Sequence, residues 1–233
     1  MRVIRRILLL IVVAAAALAA LVYLFGPHAQ LAQAFNTYRE AYLAGDRNLV
    51  TRLTAPEAIA RTDVVRQLAL TAPRAAVEAL DFSRRAAVLG LRKQVRDGKL
   101  PLALLQSSDA VTVFAALEPV EVRAKTFQTA AVILAVPTGS NTARGYLDLA
   151  YAGQPEFQAY SMALGFGMFL NFVRSDDGAW LVDPTTLIDS SARENEYWAK
   201  QVEPTGNTFI IETLLQEKDP AKAELLWQPL STP

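Results

Sequence analysis

Apolar residues in the first part of the chain recur at the spacing of α-helices. A helix is predicted where large apolar residues lie three or four positions apart, at Leu31, Phe35, Tyr38 and Tyr42. Gly45 marks its end, because glycine readily adopts the left-handed conformation that follows a helix C-terminus. Further helices are predicted over residues 47–53, 56–70 and 73–97. Thr54 is the predicted N-cap of the helix at 56–70.

Beyond residue 101 the pattern changes to that of strands. Apolar and polar residues alternate over 120–125 (VEVRAK) and 144–151 (RGYLDLAY), which is typical of strands with one buried face. Between them, the apolar run at 130–136 ends in turn residues at 137–141, so two neighbouring strands joined by a short loop are predicted. Residues 111–117 fit either a further strand or a helix.

The segment YSMALGFGMFLNF, residues 160–172, has large apolar residues at every second position. This period of two predicts a long strand, bent at Gly165 and Gly167. A second membrane span over residues 157–173 is the alternative, but about 25 Å of helix is short for a ~30 Å hydrocarbon core. The segment also runs into Asp177 and Gly178, a hairpin signal that favours the strand.

The C-terminal part of the chain is predicted to be mainly helical. A capping box that starts at Ser191 opens a helix to about Val202, and Asp219 starts a last helix that ends near Trp227. Residues 209–217 fit a strand or a short helix. Four apolar residues near the end either pack on the domain or contact a partner: Leu225, Leu226, Trp227 and Leu230.

A run of 19 residues without a charge follows three arginines at the N-terminus, over residues 7–25. As a helix it would span roughly 28 Å, so we predict a single membrane anchor with its N-terminus in the cytoplasm. A cleaved signal peptide is the alternative, since residues 17–19 resemble a cleavage site. Either interpretation places the remainder outside the cytoplasm, with the periplasm of a bacterium as the predicted location.

The composition indicates a packed core and an uneven distribution of charge. Apolar residues make up 52% of the chain, and the absence of cysteine excludes thiol catalysis and disulfides. Residues 1–99 carry 15 Lys and Arg against 7 Asp and Glu, whereas residues 100–233 carry 8 against 16. This asymmetry either orients the domain toward an anionic surface or partner, or reflects arginine on solvated helices.

The sequence offers few residues for catalysis. His28 is the sole histidine, and no serine-hydrolase, phosphate-binding or dinucleotide motif occurs. We therefore predict no catalytic residue, no metal site, no cofactor and no nucleic-acid partner. A basic cluster is instead a candidate for contact with anionic lipid head groups: Arg84, Arg85, Arg92, Lys93, Arg96 and Lys99.

Two segments resemble the nuclear transport factor 2-like family, also called SnoaL-like or ketosteroid-isomerase-like. AYLAGDRNLVTRL at 41–53 is similar to the junction of its first two helices, and FLNFVRSDDGAWLVD at 169–183 resembles its closing hairpin. The resemblance implies an α+β cone with an open pocket, and enzymes of this family use a buried Asp with Tyr. Residues of the predicted strands are then candidates to line that pocket: Tyr146, Asp148, Tyr160, Phe166, Trp180 and Asp183.

Together these patterns predict an α+β protein with one N-terminal transmembrane helix, several helices, a strongly curved antiparallel sheet and C-terminal helices. The predicted divisions are an anchor at 1–27, a cone-like domain at 28–203 and an extension at 204–233. The predicted function is non-catalytic: an anchored periplasmic binding or assembly subunit. Its sheet would bind a small apolar ligand or a partner, which is a membrane or periplasmic protein or a second copy of the chain. A pocket enzyme that transfers protons through Asp and Tyr is the alternative.

Overall fold

A computed structural model of the chain describes residues 12–14, 26–118, 124–125, 127–128, 130–148, 169–203 and 205–231. Within these ranges, seven helices of five or more residues precede the sheet: α1 Pro27–Leu43, α2 Arg47–Arg52, α3 Pro56–Thr71, α4 Arg74–Glu78, α5 Phe82–Arg96, α6 Leu102–Ser107 and α7 Ala110–Leu117. After the sheet come α8 Thr185–Val202, a π-helix Phe209–Leu214 and α9 Pro220–Leu226.

Four strands form a curled antiparallel half-barrel in which sequence neighbours pair: β1 Ala131–Pro137, β2 Thr142–Asp148, β3 Phe169–Arg174 and β4 Trp180–Asp183. The hairpin between β3 and β4 turns at Gly178, whose φ of 86° is the left-handed conformation expected there. The backbone of Leu53 and Ala55 hydrogen-bonds to Val182, so the segment before α3 covers the outer edge of β4.

The first hydrophobic core lies between α1 and the sheet. Leu31, Phe35, Tyr38 and Tyr42 of α1 are buried, which confirms the predicted helical stripe. They pack against residues of the sheet and of the segment before it: Phe127, Val132, Ala143, Leu147, Leu170, Phe172 and Val182. The inner face of the half-barrel is therefore covered by a helix.

The second hydrophobic core is made by helices. Buried residues of α3, α5, α6 and α7 meet others from α8, the π-helix and α9, among them Leu70, Leu89, Leu105, Val113, Ala199, Ile210 and Trp227. Arg66 of α3 donates to the carbonyls of Leu105 and Ser108, both at 2.9 Å, and so holds the connection between α6 and α7 against α3. Of the four apolar residues near the end of the chain, Leu226 and Trp227 are buried here and Leu230 packs against this core, whereas Leu225 is exposed.

The predicted fold class requires a correction, because it included a transmembrane helix. None of the helices in the described ranges is long and apolar enough to cross a membrane. The predicted anchor at residues 7–25 lies outside the described residues, except for residues 12–14, which are helical. What the structure shows is an α+β fold with a curled antiparallel sheet and many helices.

The single long helix predicted over residues 73–97 is wrong. The chain forms α4 and α5 instead, and the break lies where the side chain of Asp81 accepts a hydrogen bond from the backbone N–H of Arg84. An N-cap of this kind starts a new helix, because it satisfies a backbone donor that has no partner within the helix.

Other boundaries also differ from the predicted ones. Residues 111–117 are helical, and Asp109 caps that helix by accepting from the backbone of Thr112. Residues 124–125 are helical, although a strand was predicted there. Helix α8 starts six residues before the predicted cap at Ser191. The N-cap of α3 is Ala55 rather than the predicted Thr54. Residues 120–123 and 157–168, predicted as strands, lie outside the described residues.

Candidate functional site

Tyr146, Trp180 and Asp183, three of the pocket residues predicted from the resemblance, have different contacts. Tyr146 is on β2 with its ring 6.0 Å from that of Phe169, and the Trp180 indole donates to Oε1 of Gln30 at 3.2 Å. Asp183 accepts from the backbone N–H of Thr185 at 2.9 Å, in the first turn of α8. None of Tyr146, Trp180 and Asp183 is among the described residues that line the two cavities below.

Asp148 is the last residue of β2, where its Cα is paired with Ala131 of β1. Tyr160 and Phe166 lie outside the described residues.

Aromatic side chains occupy the space between α1 and the sheet, whereas the resemblance implies a cone with an open pocket. The Phe127 ring lies 5.5 Å from that of Phe35 and 5.3 Å from that of Tyr42, both edge to face. Tyr38, Tyr42 and Phe127 are each no more than 1% exposed. This part of the half-barrel is packed rather than open.

An apolar cavity of about 280 Å³ lies elsewhere, between α3, α5 and α7. The side of α3 that faces it carries Ala58, Arg61, Thr62 and Val65, and the side of α5 carries Ser83, Arg84, Ala87, Gly90, Leu91 and Gln94. Phe114 and Leu117 of α7 close it together with Glu118, and Pro184 and Thr185 complete the described lining. We call this space the apolar cavity.

The spacing of the lining residues explains why the cavity exists. On α3 they follow one another by three, one and three positions, which is a single face of a helix. Ala58, Ala87 and Gly90 are small and lie on the facing sides of α3 and α5. Because small side chains leave space between packed helices, the cavity forms where these positions meet.

One end of the apolar cavity contains a buried carboxylate. Glu118 is 5% exposed, and the hydroxyl of Tyr42 donates to its Oε1 at 2.7 Å. The Tyr42 and Tyr38 hydroxyl groups are 3.1 Å apart, which extends the hydrogen-bonded chain into the first core. Arg47 fixes the backbone here, since its Nη1 donates to the carbonyl of Glu118 at 2.6 Å.

A second, polar pocket of about 410 Å³ adjoins the cavity and shares Arg61, Ser83 and Arg84 with it. Its described lining comes from α3, the start of α5, two strands and one face of α8: Arg61, Asp81, Phe82, Ser83, Arg84, Arg144, Phe169, Asp189, Ala192, Arg193 and Glu196. We call this space the polar pocket. Four of these residues are arginines.

Arg61 and Asp189 form the central ion pair of the polar pocket. Both Nη atoms of Arg61 donate to Asp189, with Nη1 2.7 Å from Oδ2, and Ser83 donates to Oδ1 at 3.1 Å. The hydrogen bond that Arg61 donates to Asp189 raises the pKa of Arg61. Burial acts to raise the pKa of Asp189, but the hydrogen bond and charge of Arg61, with Ser83, outweigh it and hold that pKa below its usual value.

The basic residues predicted to contact anionic lipid have different environments. Arg92 is 0% exposed, Arg85 donates to the carbonyl of Thr205 at 2.8 Å, and Arg96 donates to that of Gln228 at 2.8 Å. Lys93 is paired with Glu217 at 2.6 Å, and the hydrogen bond to that residue raises the pKa of Lys93. Arg84 and Lys99 are exposed, and only Arg84 is among the described residues lining the cavities above.

The sequence predictions missed the residues that line the two cavities, except for Arg84. The sequence did contain an indication of this site. Arg61 lies on the same helical face as Ala58 and Val65, and an arginine among small and apolar residues is unusual. The pairing of that face with α5 depends on tertiary packing, and the spacing of residues along one helix does not encode it.

No family model matches this chain, and no curated protein or solved structure is significantly similar to it. The resemblance to the nuclear transport factor 2-like family therefore stays a prediction. The same holds for the predicted partners and the predicted location.

Proposed function

We propose that this chain is a non-catalytic binding protein whose apolar cavity takes a small, mainly apolar ligand. The observation that carries the proposal is the cavity itself, whose described lining exposes mainly carbon atoms and also includes polar and charged side chains. This combination is typical of ligand sites, and about 280 Å³ lies near the lower end of their size range of ~300–1,000 Å³. The ligand is therefore small.

The surroundings of the cavity support a preformed site. The helices that line it also pack in the second core, where Leu70, Leu89 and Val113 are buried. Ligands bind more tightly to a site that needs little ordering, because less conformational entropy is lost. The described lining of the apolar cavity comes from helices and the segments next to them, and includes no residue of the four strands.

Calorimetric titration with a series of straight-chain alkan-1-ols tests the proposal. Each additional methylene that enters the cavity is expected to tighten binding about fourfold, from ~0.8 kcal/mol per buried group, until the cavity is full. Ala87→Trp is expected to abolish binding, because Ala87 is an exposed residue of the cavity lining and its replacement blocks the space.

Ala60→Trp is the matched control, since Ala60 is exposed on α3 and is not part of the cavity lining. This variant should bind like the unmodified protein. Equal binding by the Ala87→Trp variant, or an affinity that does not change with chain length, would show that the alcohols do not occupy this cavity.

A second candidate function is proton transfer at a carbon atom beside a carbonyl group. It is favoured by one observation, the buried Glu118 carboxylate in contact with the Tyr42 hydroxyl at the end of the cavity. Incubation of the protein with small ketones in deuterated water tests it by NMR. Catalysis would be established if deuterium exchanged at the carbon beside the carbonyl faster than in buffer alone, and if the Glu118→Gln variant lost this acceleration. Exchange at the buffer rate would exclude catalysis.

A further inference from the structure

The apolar cavity and the polar pocket are neighbouring parts of one site. Arg61, Ser83 and Arg84 line both, so the two spaces meet at these residues. The two spaces differ in chemistry, because the apolar cavity is lined mainly by carbon atoms, whereas the polar pocket contains seven charged side chains. A ligand that filled both would itself be amphipathic.

The described lining residues of the polar pocket carry an excess of positive charge. They include four arginines and three acidic residues. Arg61 forms an ion pair with Asp189, and Nε of Arg84 lies 3.4 Å from Oδ2 of Asp81. The third acidic residue, Glu196, is paired at 2.7 Å with Lys200, which is not among the described lining residues. The positive charge of Arg193 also acts on Asp189. The remaining positive charge favours an anion.

Arg144 is the residue best placed to bind that anion. Its guanidinium carbon lies over the Phe169 ring, 4.1 Å from the ring centroid, and this cation–π contact places the group beside another residue of the pocket lining. Among the described residues it makes one long hydrogen bond, from Nε to Oδ1 of Asn171 at 3.4 Å, and no ion pair. Its terminal donors are therefore available to a carboxylate or phosphate, which arginine binds through two parallel hydrogen bonds.

We propose that the polar pocket binds the anionic head group of an amphipathic ligand, with Arg144 as its principal contact and the ligand's tail in the apolar cavity. This inference rests on the proposed function, since it needs the tail to occupy the cavity. Arg61 acts as a positioning residue, because Asp189 and Ser83 already accept three of its four terminal N–H donors. The chemical class of the ligand is a medium-chain carboxylate or phosphate ester.

Four ligands with the same eight-carbon tail test the head-group preference: octanoate, octyl phosphate, octan-1-ol and octyltrimethylammonium. Titration at neutral pH should show at least one of the two anions binding about tenfold or more tightly than the alcohol, as expected for charge-assisted hydrogen bonds. The cation should bind more weakly than the alcohol. The tighter of the two anions identifies the head group as carboxylate or phosphate.

The variant Arg144→Gln should bring the affinity of that anion to within about threefold of the alcohol's, and leave the alcohol's affinity unchanged. Arg174→Gln is the control, since Arg174 also lies over an aromatic ring but does not line the pocket. Equal binding of anions and alcohol by the unmodified protein would overturn this inference and leave the proposed function in place. If the alcohol does not bind at all, the proposed function fails instead.

Discussion

At the scale of single residues, Arg92 shows how this protein buries a charge. Its five donors are all used, by the carbonyls of Leu68, Ala69 and Ala72 at the end of α3 and those of Leu226 and Trp227 at the end of α9. Carbonyl groups at helix C-termini carry partial negative charge, so they compensate the guanidinium. Burial and the neighbouring charge of Arg96 lower its pKa to about 10, and Arg92 therefore stays charged at neutral pH.

We expect Arg92→Met to lower the free energy of unfolding by about 3–5 kcal/mol, because it leaves five buried carbonyls without their donor. Urea denaturation followed by circular dichroism measures this change. Arg96→Met is the control, with an expected effect within about 1 kcal/mol, since Arg96 is exposed. Similar unfolding midpoints for the two variants would contradict this account of Arg92.

At the scale of elements, the half-barrel depends on a glycine in β2. A Cβ atom at Gly145 would lie 2.7 Å from Cε2 of Phe172 on the neighbouring strand, which is too close for two carbon atoms. The absence of a side chain therefore lets the Phe172 ring lie across β2 and pack beneath α1.

Gly145→Ala is expected to destabilise the protein by about 1–3 kcal/mol, because the Phe172 ring has to move within a packed core. Gly90→Ala on α5 should instead be neutral or stabilising by up to ~1 kcal/mol. Its new Cβ would make an ordinary contact of 3.5 Å with Leu215 and would favour the helix. Thermal unfolding of both variants tests the contrast, which would be absent if the Phe172 ring could adapt without cost.

The elements that could be predicted from the sequence are those with a local signal. The stripe from Leu31 to Tyr42 predicted α1, and Asp177 with Gly178 predicted the hairpin between β3 and β4. The break at Asp81 was missed, because the apolar pattern continues on both sides of it and the cap is a single side chain. The two cavities were missed for a different reason, since each needs faces of helices that are distant in the sequence.

At the scale of the whole molecule, part of the uneven charge of the two halves is used within the fold. Ion pairs join the basic first half to the acidic second half: Arg61 with Asp189, Arg74 with Glu224, and Lys93 with Glu217. Arg92 and Arg96 likewise bind carbonyls of the C-terminal segment. The asymmetry was evident from the sequence, but these partners follow only from the packing of α8, α9 and the π-helix against α3, α4 and α5.

The central claim is that a small apolar ligand lies between α3, α5 and α7, and a crystal structure with 8-bromooctan-1-ol tests it most directly. Anomalous scattering locates the bromine atom at the end of the tail without ambiguity. The account predicts a bromine peak inside the apolar cavity, beside Phe114 or Leu117. A peak against the half-barrel or at the surface, with the cavity unchanged, would contradict it.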